Sequence, residues 1–272
     1  MTGSSYVLGH SDWEMERLAT QARLVDPFTR RFFERAGIGA GMRVLDVGSG
    51  AGDTAFLLAG LVGASGSVIG VDRSAAALET ARRRAAERSL AQIRFIEGPL
   101  DQVAFDQPFD AIAGRYVLMF QPDPVALLRA LSRHARSGSI VAFHEPDWDD
   151  TRSRPTAALY DRCCRWIVET IQKTGADEHM GTKLHATFVA AGLPAPTMGL
   201  ETLIGGGDKA ADAARLITDI VRTIAPDMER LGVASASEIG VETLGERAIA
   251  EILANGSVVV GRGEVGAWCR IP

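Results

Sequence analysis

The stretch Val44-Leu45-Asp46-Val47-Gly48-Ser49-Gly50-Ala51-Gly52-Asp53-Thr54 constrains the fold of this chain more than any other, because few local structures accommodate it. Val44, Leu45 and Val47 form a short apolar run suited to a strand covered on both faces. Gly48, Gly50 and Gly52 admit backbone angles and a close ligand approach that a Cβ forbids. Asp53 and Thr54 suit the first turn of a helix continuing through Phe56, Leu57 and Leu58. Strand, glycine turn and helix in that order open a parallel α/β unit.

Dinucleotide enzymes use a glycine-rich turn at the same topological place, and the details separate the two cases. The third glycine comes one residue early, at Gly52, and Asp53 stands where the dinucleotide pattern wants glycine. Asp46 sits two residues before the first glycine. Two acids flanking the cradle repel a pyrophosphate and attract a ligand that carries an ammonium and a sulfonium. Asp46 to Gly52 resembles the nucleotide loop of class I S-adenosylmethionine-dependent methyltransferases, among them the small-molecule enzymes of the ubiquinone/menaquinone-biosynthesis and secondary-metabolite type.

The resemblance covers residues 25 to 150 and implies a doubly wound, Rossmann-like α/β fold. Its seven-stranded sheet would have the last strand antiparallel, with inserted helices as a lid. The cofactor would be S-adenosylmethionine, leaving as S-adenosylhomocysteine, and the partner a small-molecule methyl acceptor. On the donor side the resemblance points to Asp46, Gly48, Ser49, Gly50, Asp53, Asp72, Arg73, Pro99, Leu100 and Arg115.

The remaining pattern agrees with an alternating fold. A capping pattern at Ser11 and Glu14 opens a helix, Asp26-Pro27 interrupts it, and a second helix runs from Pro27 to about Ala36. Residues 1–36 would form a helical cap over the cleft, with Tyr6, Gln21 and Arg23 as candidate contacts. The core would span residues 37–150. Val68 to Val71 reads as the second strand, with Asp72 at its carboxyl end placed to hydrogen-bond both ribose hydroxyls; capping the next helix is its competing role. Ile93 to Ile96 is the third strand, followed by the turn Gly98-Pro99-Leu100 against the adenine. Phe109 to Ala113 is the fourth, delivering Arg115 to the donor's carboxylate and Tyr116 to the methyl group, with a structural arginine as the competing reading.

Ile140 to Phe143 reads as the fifth strand, followed by His144-Glu145-Pro146-Asp147-Trp148-Asp149-Asp150 facing the acceptor. His144 is the candidate general base and Glu145 the group that orients it or itself binds substrate, with Tyr116, Asp147 and Trp148 as substrate contacts. A structural histidine is the competing reading. These acids lack a defined metal-ligand spacing, so no metal is expected. Residues 151–272 would complete the sheet with strands near 195–204 and 258–271. Lid helices would be inserted at 151–180 and 205–256, and Gly205-Gly206-Gly207 would act as a hinge between sheet and lid.

Composition narrows the function classes. With 272 residues the chain suits one substantial α/β core, and its net charge of -5 argues against a nucleic-acid-binding surface. The three cysteines have neither metal-ligand nor disulfide spacing. No apolar run is long enough to cross a membrane, which suggests a cytoplasmic protein with no membrane partner. Amphipathic lid helices able to exchange between subunits allow a homodimer. Two other functions stay open: a nicotinamide-dependent oxidoreductase, which leaves Asp46, Asp53 and the early glycine unexplained, and a noncatalytic S-adenosylmethionine-binding protein.

Overall fold

The computed structural model describes the backbone of residues 12–272 and the side chains from residue 22 onward. The expected cap at Ser11 and Glu14 and the Tyr6 and Gln21 contacts lie outside the described residues. The strands are β1 (Arg43–Val47), β2 (Ser67–Asp72), β3 (Ile93–Glu97), β4 (Phe109–Arg115), β5 (Ala135–Asp147), β6 (Arg152–Arg154), β7 (Thr197–Gly206) and β8 (Val258–Arg270). The helices are α1 (Asp12–Ala36), α2 (Asp53–Val62), α3 (Ala75–Glu87), α4 (Pro124–Ser132), α5 (Ala158–Thr174), α6 (Met180–Ala190), α7 (Ala210–Arg230), α8 (Ala236–Ile239) and α9 (Leu244–Ala254).

All eight strands form one sheet, in the order β3-β2-β1-β4-β5-β8, with β7 on the far side of β8. Strands β1 to β5 pair in parallel, and β8 runs antiparallel to β5, as expected of the last strand. The addition is β6, which pairs with Val258 to Val260 at the start of β8. Those residues also pair with β7, so β6 occupies the side of β8 that β5 leaves vacant.

Side-chain alternation along the strands divides the core in two. Leu45, Val47, Val141 and Phe143 pack against Leu127 and Leu131 of α4 and Leu184 and Phe188 of α6. Val44, Ala113, Ile140 and Ala142 face Phe28, Phe32 and Phe33 of α1 and Leu57 and Leu58 of α2. Each of these buried aromatics contributes about 1.5–3 kcal/mol relative to exposure. A third cluster joins α5, α7, α8 and α9 through Tyr160, Ile167, Ile217, Val221, Ile239 and Ile252, and meets the sheet at Trp148 and Val259.

Three sequence expectations change. The break at Asp26-Pro27 does not occur: α1 runs through Pro27. That turn is held by tertiary contacts, with Asp26 bonded to Arg115 and Thr29 buried against the sheet, and they override the local preference. The Gly205-Gly206-Gly207 hinge is replaced by pairing, because Gly205 and Gly206 end β7 opposite Val259 and Val258. A Cβ on Gly205 would collide with the carbonyl of Lys209, so the glycine serves close packing of the strand against the following turn. Finally, β5 extends to Asp147, which turns the expected His144 to Asp147 loop into strand and sends its side chains to alternate faces.

Candidate active site

At the carboxyl ends of β1 and β2 the glycine loop has the geometry its sequence requires. Gly48, Gly50 and Gly52 have φ of 65°, 50° and 94°, a region that penalises any other residue. A Cβ on Gly48 would lie 2.7 Å from Val117 Cγ2, whereas one on Gly50 would meet nothing within 4 Å. The space over Gly50 is therefore open to a ligand. Ser49 N–H bonds to Val71 O at 3.0 Å and Gly52 N–H to Ser49 O at 2.8 Å, which locks the turn.

Asp72 accepts Gly50 N–H on Oδ2 and Ser74 N–H on Oδ1, both at 2.9 Å. It ties the loop to the start of α3, whose N-cap is Ser74, and each oxygen keeps a further lone pair. Gly98 N–H bonds to Asp72 O at 3.0 Å, which brings the Pro99-Leu100 turn beside the same acid. Leu100 is half-buried there, and Arg73 and Pro99 are exposed.

The two acids expected to flank the loop as free charges are not both free. Asp53 is neutralised by the buried Arg84, which contacts Asp53 Oδ1 at 2.5 Å and Ala51 O at 2.7 Å. Asp46 is fully buried, and neither of its carboxylate oxygens has a hydrogen-bond partner. Burial pushes its pKa well above the usual carboxylate range, and the nearby Arg115 only partly offsets this.

Across the sheet, at the ends of β4, β5 and β8, lies a buried polar network. Arg115 Nη1 donates to Asp26 Oδ1 at 2.6 Å and to Thr29 Oγ1 at 3.0 Å. His144 Nδ1 lies 3.0 Å from Thr29 Oγ1, and His144 Nε2 lies 2.8 Å from Glu264 Oε2. Tyr116 Oη donates to Glu264 Oε2 at 2.6 Å, Arg262 Nε to Glu264 Oε1 at 2.9 Å, and Arg262 Nη2 to Tyr116 Oη at 2.8 Å.

The protonation states follow from these contacts. Burial lowers the His144 pKa more than Glu264 raises it, so the ring is neutral. A neutral ring donates from Nε2 to the carboxylate and accepts at Nδ1 from the Thr29 hydroxyl. Burial alone would raise the Glu264 pKa, but Arg262 and then His144 hold it down at about 2. Burial keeps the Tyr116 phenol protonated, well above its ordinary value. Tyr116 also has φ of 56°, a conformation rare for a bulky residue and concentrated at functional sites.

The expected pairing of His144 with Glu145 is not made. Neighbouring strand residues face opposite ways, and Glu145 points to the α4/α6 side. Its Oε1 accepts the N–H groups of Val117 and Leu118 at 2.9 and 2.8 Å, and its Oε2 that of Met119 at 3.3 Å, so it holds the turn after Tyr116. Burial nevertheless raises its pKa to about 7. Glu264 takes the place beside His144.

Asp147 accepts Thr182 N–H at 3.1 Å at the start of α6, and the exposed Asp149 lies 3.3 Å from His179 Nδ1. Trp148 is buried on the opposite side, with the Arg262 guanidinium 5.3 Å from its ring centroid. Arg23, the remaining cap contact, forms an exposed ion pair with Asp212 of α7. Thr29, Asp26, Arg262 and Glu264 went unassigned in the sequence. The available signal was Arg262-x-Glu264, two opposite charges at alternate positions of an apolar strand, which places both on one face.

A parallel sheet with one reversed strand, a glycine cradle at β1, an acid at the end of β2 and a buried polar floor under β4 and β5 are the features that the resemblance to class I methyltransferases implies. Residues 38–192 match the family model described as a methyltransferase domain, more than half of the chain, and the protein belongs to that family. It is 43% identical over 113 residues to 2-phytyl-1,4-naphtoquinone methyltransferase of Synechococcus elongatus, covering 39% of this chain and 48% of that protein. It is 36% identical over 134 residues to arsenite methyltransferase of Aquipseudomonas alcaligenes, covering 45% of this chain and 39% of that one. The matches thus span half or less of these curated relatives. A solved geranyl diphosphate methyltransferase in complex with S-adenosylmethionine shares the fold at 17% identity, with a TM-score of 0.58 over 99% of this chain and 93% of its own.

Proposed function

We propose that this protein transfers the methyl group of S-adenosylmethionine to a small-molecule acceptor by in-line displacement. The observation that carries the reading is the cradle: open space over Gly50, whose N–H is held by the anchored carboxylate of Asp72, with the buried and unpartnered carboxyl group of Asp46 near the end of the preceding strand. Asp72 has lone pairs left for ribose hydroxyls, and Asp46 has two oxygens with no other use. Gly48, Ser49 and Gly50 supply backbone approach, Pro99 and Leu100 a wall beside Asp72, and the exposed Arg73 a cation at the rim. Bound S-adenosylmethionine supplies an electrophilic methyl on a sulfonium.

The chain's own task is then to orient, exclude water and place charge. Arg115, held through Nη1 by Asp26 and Thr29, keeps its other nitrogens for the donor's carboxylate. Tyr116, its hydroxyl fixed by Glu264 and Arg262, walls the transfer path. His144 acts in this reading as a positioning residue, because both ring nitrogens are engaged inside the network. The relatives' names include a naphthoquinone and arsenite, which supports a small acceptor, as does the net charge of -5 against a nucleic-acid target.

Calorimetric titration tests the cradle and a methyl-labelled donor tests turnover. S-adenosylhomocysteine should bind while a nicotinamide dinucleotide does not, and a small-molecule extract should yield products heavier by one methyl. Binding of the dinucleotide, or of neither ligand, overturns the reading. Saturable binding without labelled product favours a noncatalytic role. In His144→Asn, turnover should fall about tenfold with donor affinity retained; unchanged turnover across pH removes the histidine from the mechanism.

A further inference from the structure

Among the described residues, Arg262 keeps donor capacity that the methyl-transfer reading does not use. It lies buried on β8, its guanidinium 4.8 Å from the Tyr116 ring centroid and 5.3 Å from that of Trp148, clamped between two aromatic faces. Nε and Nη2 are bonded to Glu264 Oε1 and Tyr116 Oη, while Nη1 has no hydrogen-bond partner among the described residues. The Trp148 indole Nε1 is sealed from solvent, also without a partner.

A sealed indole N–H without a partner, against a guanidinium whose Nη1 is unbonded among the described residues, is an uncommon arrangement, since buried polar groups are nearly always satisfied. A donor left bare bears its full desolvation cost. The stacked rings prevent the guanidinium from swinging elsewhere, and its plane presents a fixed edge suited to oxygen pairs. Tyr116, the residue that the proposed transfer path runs beside, accepts from the same guanidinium.

We infer that Arg262, seconded by the Trp148 indole, recognises an oxyanion on the methyl acceptor, such as a carboxylate or an ionised phenol or enol. The inference rests on the methyl-transfer reading, because it assigns the acceptor side of that site. Glu264 already neutralises much of the guanidinium charge, so the selectivity comes from oriented donors as well as from charge. A neutral amide of the same shape would meet those donors with one carbonyl and place its NH2 against the rest.

The test uses the protein saturated with S-adenosylhomocysteine and two isosteric probes, benzoate and benzamide, in calorimetry. Benzoate should bind at least about tenfold more tightly than benzamide, the difference expected of a charge-assisted bond. Arg262→Gln should abolish that preference. Because this change leaves Glu264 short of a partner and threatens folding, Trp148→Phe serves as the second variant. It keeps an aromatic face against the guanidinium while removing the indole N–H, and should weaken benzoate several-fold with S-adenosylhomocysteine affinity unchanged. Equal binding of the two probes, no binding of either, or a preference surviving both substitutions overturns the inference. If S-adenosylhomocysteine itself fails to bind the unaltered protein, the methyl-transfer reading fails instead, and the two failures are told apart.

Discussion

The two halves of the site are built by different means. The donor side, from β1 to the start of α3, is made mostly of backbone: glycine angles and amide donors, with the carboxyl groups of Asp46 and Asp72, all within about thirty residues of chain. The acceptor side is made of side chains from α1, β4, β5 and β8, and its contacts between those elements join residues 86 to 148 positions apart. Backbone geometry tolerates many side-chain changes provided the glycines stay. A side-chain network depends on every member, because one missing partner strands a charge away from water.

The largest expected effect therefore falls on the acceptor side. Glu264→Ala removes the shared partner of Arg262, Tyr116 and His144, leaving a buried guanidinium uncompensated. Unfolding in urea should show a loss of about 3–5 kcal/mol. The pH dependence carries a definite sign. The Glu264 pKa is depressed in the folded protein, to about 2, so its stabilisation is complete above the ordinary glutamate value. It is lost as pH falls from that value through about 2. The variant should show a flatter stability curve over that acid window. A variant as stable as the parent, with the same acid limb, would show that the network contributes nothing net.

On the donor side the largest expected effect is Asp72→Ala. It releases Gly50 N–H and Ser74 N–H and removes the proposed ribose contacts, so S-adenosylhomocysteine affinity should fall about ten- to hundredfold in calorimetry. Stability should change by less than in Glu264→Ala, because Asp72 is half-buried and water can reach what it releases. A change in stability larger than the change in affinity would break the contrast between a backbone-built half and a network-built half.

The same contrast explains what was legible in the sequence. The glycine loop, Asp72 and the order of strands to β5 follow from local spacing and strand alternation, and those elements appear where the pattern puts them. Arg115, Tyr116 and His144 were locatable at strand ends, but their partners were not. The sequence sets Glu145 beside His144, and proximity along the chain is the one cue it offers for pairing them. The continuation of β5 through Asp147, stabilised by its antiparallel partner β8, sends those two side chains to opposite faces. Pro27 misled for a related reason: a local helix breaker was outweighed by contacts between α1 and residues 115 and 144.

The smallest expected effect sharpens the comparison within the donor side itself. Asp53 was expected as a loop acid facing the ligand, yet its Oδ1 is held by Arg84, which also accepts the role of bracing Ala51 O. Asp53→Asn keeps an oxygen for that contact and removes only the charge. Affinity for S-adenosylhomocysteine should stay within about threefold of the parent, while stability should fall by about 1–2 kcal/mol as the buried Arg84 loses its counter-ion. A loss of affinity comparable to that of Asp72→Ala would mean that the Asp53 charge reaches the ligand despite Arg84, and the electrostatic reading of the loop made from its two acids would stand after all. Affinity unchanged, with the stability cost present, would leave Asp46 and Asp72 as the acids that distinguish this cradle from a pyrophosphate site.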